Sequence, residues 1–106
     1  MTAATRLAEL GVSLPAVAAP LAAYVPAVRT GNLVYTSGQL PLAGGELIRT
    51  GKVGAEVSPE DAKAAARTCA LNALAAIDAL VGIDSVVRVV KVVGFVASSP
   101  GFSGQP

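Results

Sequence analysis

The sequence predicts an α/β fold in which a small sheet is packed on one side by a long helix and is incomplete at the C-terminus. Three observations carry this reading. Ser58-Pro59-Glu60-Asp61 and Gly82 bracket one long helix, two short strand-like runs flank Thr30-Gly31-Asn32, and the valine-rich stretch Val86–Ala97 is followed only by the loop-like Ser98–Pro106. With 106 residues the chain holds one domain and a modest core.

The elements follow in chain order. Thr2–Leu10 suits two turns of helix with Leu7 and Leu10 on one face and Gly11 as its stop. Pro15, Pro20 and Pro26 then hold the chain extended, so residues 1–21 read as a short helix plus a proline-spaced extension, and 22–106 as the domain proper. Tyr24–Arg29 and Leu33–Ser37 are the predicted strands of a hairpin turning at Gly31-Asn32, where both residues tolerate positive φ. A weaker third strand is expected at Leu47–Thr50 after Gly44-Gly45.

Ser58 is a hydroxyl N-cap, Pro59 fits the first helical position, and Glu60 and Asp61 face the positive end of the helix dipole. The helix should run to Val81 with Ala62, Ala66, Cys69, Ala73, Ile77 and Leu80 as its buried stripe. Cys69 reads as a small core residue there, with no cation placed to activate its thiol. In Val86–Ala97, apolar residues occupy both alternating faces: Val87, Val89, Val93 and Phe95 on one, Val86, Val90, Val92 and Val96 on the other. Both faces of such a strand need cover. The helix supplies one layer, so the other face is expected to meet another subunit.

Composition narrows the chemistry. The chain has no histidine, which removes Ser-His-Asp and Cys-His nucleophiles, histidine bases and histidine metal sites. One cysteine makes no internal disulfide and no thiolate cluster, which suits a reduced, cytoplasmic protein. Eight Lys and Arg against seven Asp and Glu are scattered rather than blocked, and aromatics are 4% of residues, so a nucleic-acid surface is not expected. Hydrophobic residues make up 53% and charged residues only 14%, against about 25% charged in ordinary soluble domains. That imbalance predicts an oligomer, a missing stretch of sequence, or both. No membrane span is expected, since Arg88 and Lys91 interrupt Val86–Ala97. A signal peptide over Leu14–Ala27 is spoiled by Glu9 and the three prolines.

Few motifs carry chemistry. Gly51-Lys52 lacks the earlier glycine and the following Ser or Thr of a phosphate loop, these positions being Glu46 and Val53. Glu60 and Asp61 are explained by the helix start, and Glu46 and Glu56 lie in turns, so no acid–base pair emerges. No cofactor and no metal site is indicated.

The informative run is Tyr24-Val25-Pro26-Ala27-Val28-Arg29-Thr30-Gly31-Asn32-Leu33-Val34-Tyr35-Thr36-Ser37-Gly38-Gln39-Leu40-Pro41, joined later by Val89–Val96 leading to Phe102. It resembles the signature of the RidA/YjgF family, also called the endoribonuclease L-PSP or translation-inhibitor family. The resemblance implies a chorismate-mutase-like mixed sheet backed by helices on one side, assembled as a homotrimer. Deaminase-type members hydrolyse reactive 2-enamine or 2-imino acids, small carboxylates, to 2-oxo acids and ammonia in clefts between subunits.

On that resemblance Tyr24 matches the pocket tyrosine, Gly38 the glycine whose backbone faces the ligand, and Ser37 its neighbour. These three are the candidate substrate-binding residues. The family's substrate-binding arginine and water-activating glutamate fall in a C-terminal part this chain does not contain, and Arg29, Arg49 and Arg88 do not match that arginine. No catalytic residue is therefore assigned, and the chain as given is expected to be inactive and truncated. The intact form is expected to be a 2-imino-acid deaminase. The alternatives are a non-catalytic trimer that binds small molecules, and, more weakly, an RNA-cleaving translation inhibitor.

Overall fold

The Thr2 hydroxyl accepts the Thr5 backbone N–H at 3.1 Å and so caps α1 (Ala3–Glu9) in the computed structural model, which describes all of Met1–Pro106. Gly11, at φ +68°, follows the helix end as expected. The N–H of Ala4 reaches further and donates to the Asp84 carboxylate at 2.8 Å, fixing this N-terminal segment to the 3₁₀ turn that follows the long helix. Residues 13–20 form neither helix nor strand, in keeping with their prolines.

The hairpin is present but shorter than expected. β1 (Ala27–Thr30) pairs antiparallel with β2 (Leu33–Thr36), with Ala27 opposite Thr36 and Thr30 opposite Leu33. Only Gly31 in the two-residue turn takes positive φ, +56°, so Asn32 does not need the freedom its sequence position suggested. The first strand starts at Ala27 rather than Tyr24 because Pro26 has no N–H to give a ladder. The second stops at Thr36 for the same reason: the Ser37 N–H still donates in register to the Pro26 carbonyl at 2.8 Å, but Pro26 has no N–H to return the bond.

The third expected strand is displaced. Leu47–Thr50 does not form a strand; β3 (Leu42–Ala43) pairs with β4 (Glu46–Leu47) around Gly44-Gly45, whose φ values of +61° and +83° set a two-residue turn and hence the register. Beyond it Arg49 pairs with Asp61 at 3.2 Å.

α2 (Pro59–Val81) has the predicted limits. The Ser58 hydroxyl accepts the Asp61 N–H at 3.1 Å, and Gly82 at φ +79° ends the helix with its N–H on the Asp78 carbonyl. The helix packs across β1, β2 and β3. Its buried residues are Asn72, Ala75 and Ala76, so the stripe is rotated by about one residue, roughly 100°, from the expected one. Ala66 and Leu80 of the expected stripe are exposed and Cys69 is half-buried. Small alanines admit the hairpins closely, and the hydrogen bonds of Asn72 select the face that the apolar pattern alone misplaces. With Val53, Val57 and Ile83 these residues complete a small core. α2, rather than Val86–Ala97, has the length and apolarity of a membrane span. Packing against the three strands buries only Asn72, Ala75 and Ala76 fully, so one face of α2 is covered and much of its apolar surface stays exposed.

Val86–Ala97 departs most from expectation. It forms no strand; a turn of 3₁₀-helix (Ile83–Ser85) ends at Val86, and the next paired residue is Ser98, in an isolated bridge to Val53. Valine-rich sequence fits a pleated surface, but a strand exists only where a neighbour completes its ladder, and here none does.

Candidate functional site

The hairpin register brings the three candidate residues to one end of the sheet. Ser37 directly follows β2 and is held across the hairpin by two bonds to one acceptor: its N–H at 2.8 Å and its Oγ–H at 3.2 Å both donate to the Pro26 carbonyl. This double closure sets Gly38 just beyond the open end, or mouth, of the hairpin on the β2 side, while Tyr24 lies two residues before Pro26 in the approach to β1. The Tyr24 hydroxyl accepts the Leu21 N–H at 3.2 Å, and the residue is 43% exposed. Ser37 is therefore structural first, and Tyr24 is braced by its own strand approach rather than bonded to Ser37 or Gly38.

Gly38 is the position left open. A Cβ built on it would meet nothing within 4 Å, and its φ is not in the left-handed region, so neither packing nor backbone conformation requires glycine there. A bare, exposed backbone of this kind is one that a small polar ligand can approach.

Sequence reasoning missed Asn72, which positions this end of the molecule. Only 2% exposed, it donates through Nδ2 to the carbonyls of Leu40 at 3.1 Å and Leu42 at 3.0 Å. The path from Gly38 into β3 is thereby pinned to the middle of α2. The available signal was an asparagine in the interior of an alanine-rich helix, a residue that favours caps and turns over such positions.

The ionisable groups do not converge on this mouth. The Glu56 carboxylate accepts the Lys52 N–H at 2.8 Å, which holds its pKa below the ordinary carboxylate value. The same bond occupies the amide of Gly51-Lys52, so the resemblance of that pair to a phosphate loop is filled from within the chain. Burial pushes the Cys69 thiol up, which suits the structural role read from the sequence. Arg49 is paired with Asp61, and Arg29 donates to the Gly31 carbonyl at 2.9 Å inside its own turn. A separate groove of about 580 Å³ lies between the proline-spaced segment, the β3–β4 turn and α2, with Pro15, Val17, Leu42, Leu71 and Asn72 among its walls. It carries no charged side chain and does not include Tyr24, Ser37 or Gly38. No cluster of three acids or thiols is placed to hold a metal.

The fold agrees with the comparisons to known proteins. The sequence profile of the family described as "YjgF/chorismate_mutase-like, putative endoribonuclease" matches residues 4–99. The chain belongs to the YjgF/chorismate-mutase-like family, and its α/β architecture is of that type. It is 44% identical over 103 residues to protein TCP17 of Trypanosoma cruzi, covering 96% of this chain and 64% of that protein. Among solved structures, protein Atu1372 of Agrobacterium tumefaciens, of unknown function, superposes with a TM-score of 0.80 and 48% identity over 95% of this chain and 62% of that one. A "putative endoribonuclease" of Shewanella oneidensis MR-1 superposes with a TM-score of 0.74 and 38% identity, covering 80% and 56%. The chain thus spans less than two thirds of the length of these relatives.

Proposed function

We propose that the chain supplies one wall of an intersubunit cleft, in a cytoplasmic homotrimer that hydrolyses reactive 2-enamine or 2-imino acids to 2-oxo acids and ammonia. The observation that carries this reading is the open backbone of Gly38 directly after the Ser37–Pro26 closure, at a position where the family resemblance puts a pocket residue. The subunit contact is supported by the hairpin itself. Ala27 and Val34 are half-buried on the side of α2, whereas Val28, Leu33 and Tyr35 on the opposite face are 50%, 44% and 57% exposed. An apolar sheet face left uncovered in this way fits burial against a second subunit.

Hydrolysis adds water to the C=N carbon, and the resulting carbinolamine expels ammonia. The step requires a cation or strong donors on the substrate carboxylate and a base for the attacking water. The hairpin mouth offers a hydroxyl and a backbone amide, which orient a ligand but do neither task. The 106 residues alone therefore bind weakly and do not catalyse. The endoribonuclease activity in the family's and the Shewanella protein's descriptions is the second reading, and dispersed charge without histidine fits it less well.

The test titrates 2-oxobutanoate into the isotopically labelled chain. Amide shifts centred on Gly38, Ser37 and Tyr24 are expected, together with 2-oxo acid formation from a 2-imino acid at the spontaneous rate. Shifts confined to other residues, or cleavage of a fluorogenic RNA without any effect on Gly38, would overturn the reading.

A further inference from the structure

The groove between the proline-spaced segment, the β3–β4 turn and α2 has a volume of about 580 Å³, within the range of small-molecule pockets. Val17, Leu42 and Leu71 give it apolar walls, and no charged side chain lines it. A charged ligand would lose hydration there without meeting a counter-charge, so the groove suits a neutral one.

Its polar atoms narrow the chemistry. Asn72 lines the groove, is 2% exposed, and spends both Nδ2 hydrogens on the Leu40 and Leu42 carbonyls, which fixes the orientation of its amide and leaves Oδ1 as the free end. Oδ1 accepts no hydrogen bond within the chain, and no buried side-chain oxygen or nitrogen is both sealed from solvent and unpartnered, so this oxygen opens outward from an otherwise buried residue. One turn earlier on the same helix, Thr68 also lines the groove; its hydroxyl donates its only proton to the Ala64 carbonyl at 3.2 Å and keeps lone pairs alone. Both helix groups therefore accept. The proline-spaced wall is of the other kind: from Ser13 to Ala19 no backbone N–H or carbonyl is hydrogen-bonded within the chain, which leaves the N–H groups of Ala16–Ala19 free to donate.

We infer that this groove binds a small neutral molecule with an apolar body and a primary carboxamide. The NH₂ group donates to Asn72 Oδ1 and Thr68 Oγ1, and the carbonyl accepts an N–H from Ala16–Ala19. Two hydrogen bonds of about 2.9 Å set about 120° apart reach acceptors about 5 Å apart, the spacing of side chains four residues apart on a helix. A carboxylate of the same shape fails twice, setting acceptors against acceptors and bringing an uncompensated charge. The groove does not include Tyr24, Ser37 or Gly38, so the inference does not rest on the deaminase reading.

The experiment titrates 3-phenylpropanamide, 3-phenylpropanoate and methyl 3-phenylpropanoate into the isotopically labelled chain at neutral pH. The carboxamide is expected to shift the amides of Ala16–Ala19, Ala43–Gly45 and Thr68–Asn72. The acid and the ester should each bind at least about tenfold more weakly, the ester because it keeps the carbonyl and has no donor. Substituting Asn72 would also release Leu40 and Leu42, so the test uses Thr68→Val, which keeps the side-chain shape and removes the acceptor. It should weaken the carboxamide about threefold to tenfold while the chain alone keeps its amide spectrum outside the neighbourhood of residue 68. Absence of shifts at the groove residues, equal binding of the acid or the ester, or unchanged affinity of Thr68→Val would overturn the inference. So would shifts at these residues that grow with the concentration of the chain alone, which would give the groove to a second copy. The deaminase reading is judged separately, on the response of Gly38 to 2-oxobutanoate.

Discussion

Replacing Asn72 with alanine removes two hydrogen bonds at once, because both Nδ2 hydrogens are spent on the carbonyls of Leu40 and Leu42. A neutral hydrogen bond contributes about 0.5 to 1.5 kcal/mol net, so the pair is worth about 2 kcal/mol. Leu40 keeps a second donor, the Leu42 N–H at 2.8 Å, which holds the cost near that figure rather than above it. For a domain of this size the loss lowers the thermal midpoint by about 8 to 16 °C. Circular dichroism reads the midpoint, and hydrogen exchange at Leu40–Ala43 reads whether the segment after Gly38 has come free. Asn72→Leu, which keeps most of the volume and none of the donors, should behave like the alanine variant. Asn72→Asp adds a sign to the test. The introduced carboxylate faces two carbonyls, its folded pKa rises above its unfolded value of about 3.9, and the variant should gain stability as pH falls through the folded value. An alanine variant within about 0.5 kcal/mol of the parent would refute the positioning role and return Asn72 to an incidental burial.

Four further outcomes are expected. Gly54→Ala should destabilise by about 1 to 3 kcal/mol, since Gly54 sits at φ +90° and a Cβ there would lie 2.6 Å from the Ser99 hydroxyl; faster exchange of the Ser99 amide is the readout. Ser58→Ala should cost about 1 kcal/mol through loss of the α2 cap, measured by urea denaturation. Glu56 has a folded pKa below its unfolded value of 4.5, so its contribution is complete above that pH and disappears as pH falls through the folded value; Glu56→Gln should flatten the pH dependence of the Lys52 amide in that window. Tyr24→Phe should leave imine loss in the presence of the chain at the spontaneous rate, as for the parent, while releasing the Leu21 amide to faster exchange.

What could be read from the sequence divides by range. α1, α2 and the β1–β2 hairpin were legible because Thr2, Ser58, Gly31 and Gly82 act within four residues of themselves. Tyr24, Ser37 and Gly38 were singled out by the family resemblance, and the local register fixes only Ser37, against Pro26. Asn72 was not legible, because its role depends on two carbonyls 30 or more residues away. The buried face of α2 was misplaced for the same reason: alanine is apolar on every side, and the choice among faces is made by what packs against them. Val86–Ala97 was read as a strand from its valines, although strand formation belongs to a pair of segments and only one is present.

The shortage of charge in the composition has a location. Much of it collects on two surfaces, the outward face of the β1–β2 hairpin with Val28, Leu33 and Tyr35, and the run from Val87 to Val96. The two surfaces make different demands. The hairpin already has its ladder and lacks only cover for its side chains, which a flat apolar contact with another subunit provides without altering either backbone. Val87–Val96 lacks the ladder as well, and side-chain contact alone leaves its N–H and carbonyl groups without partners once water is excluded. Strand addition must therefore precede, or accompany, any burial of that segment between subunits. For the trimer proposed above, sheet completion then comes first and subunit contact second, an order that hydrogen exchange and sedimentation can separate.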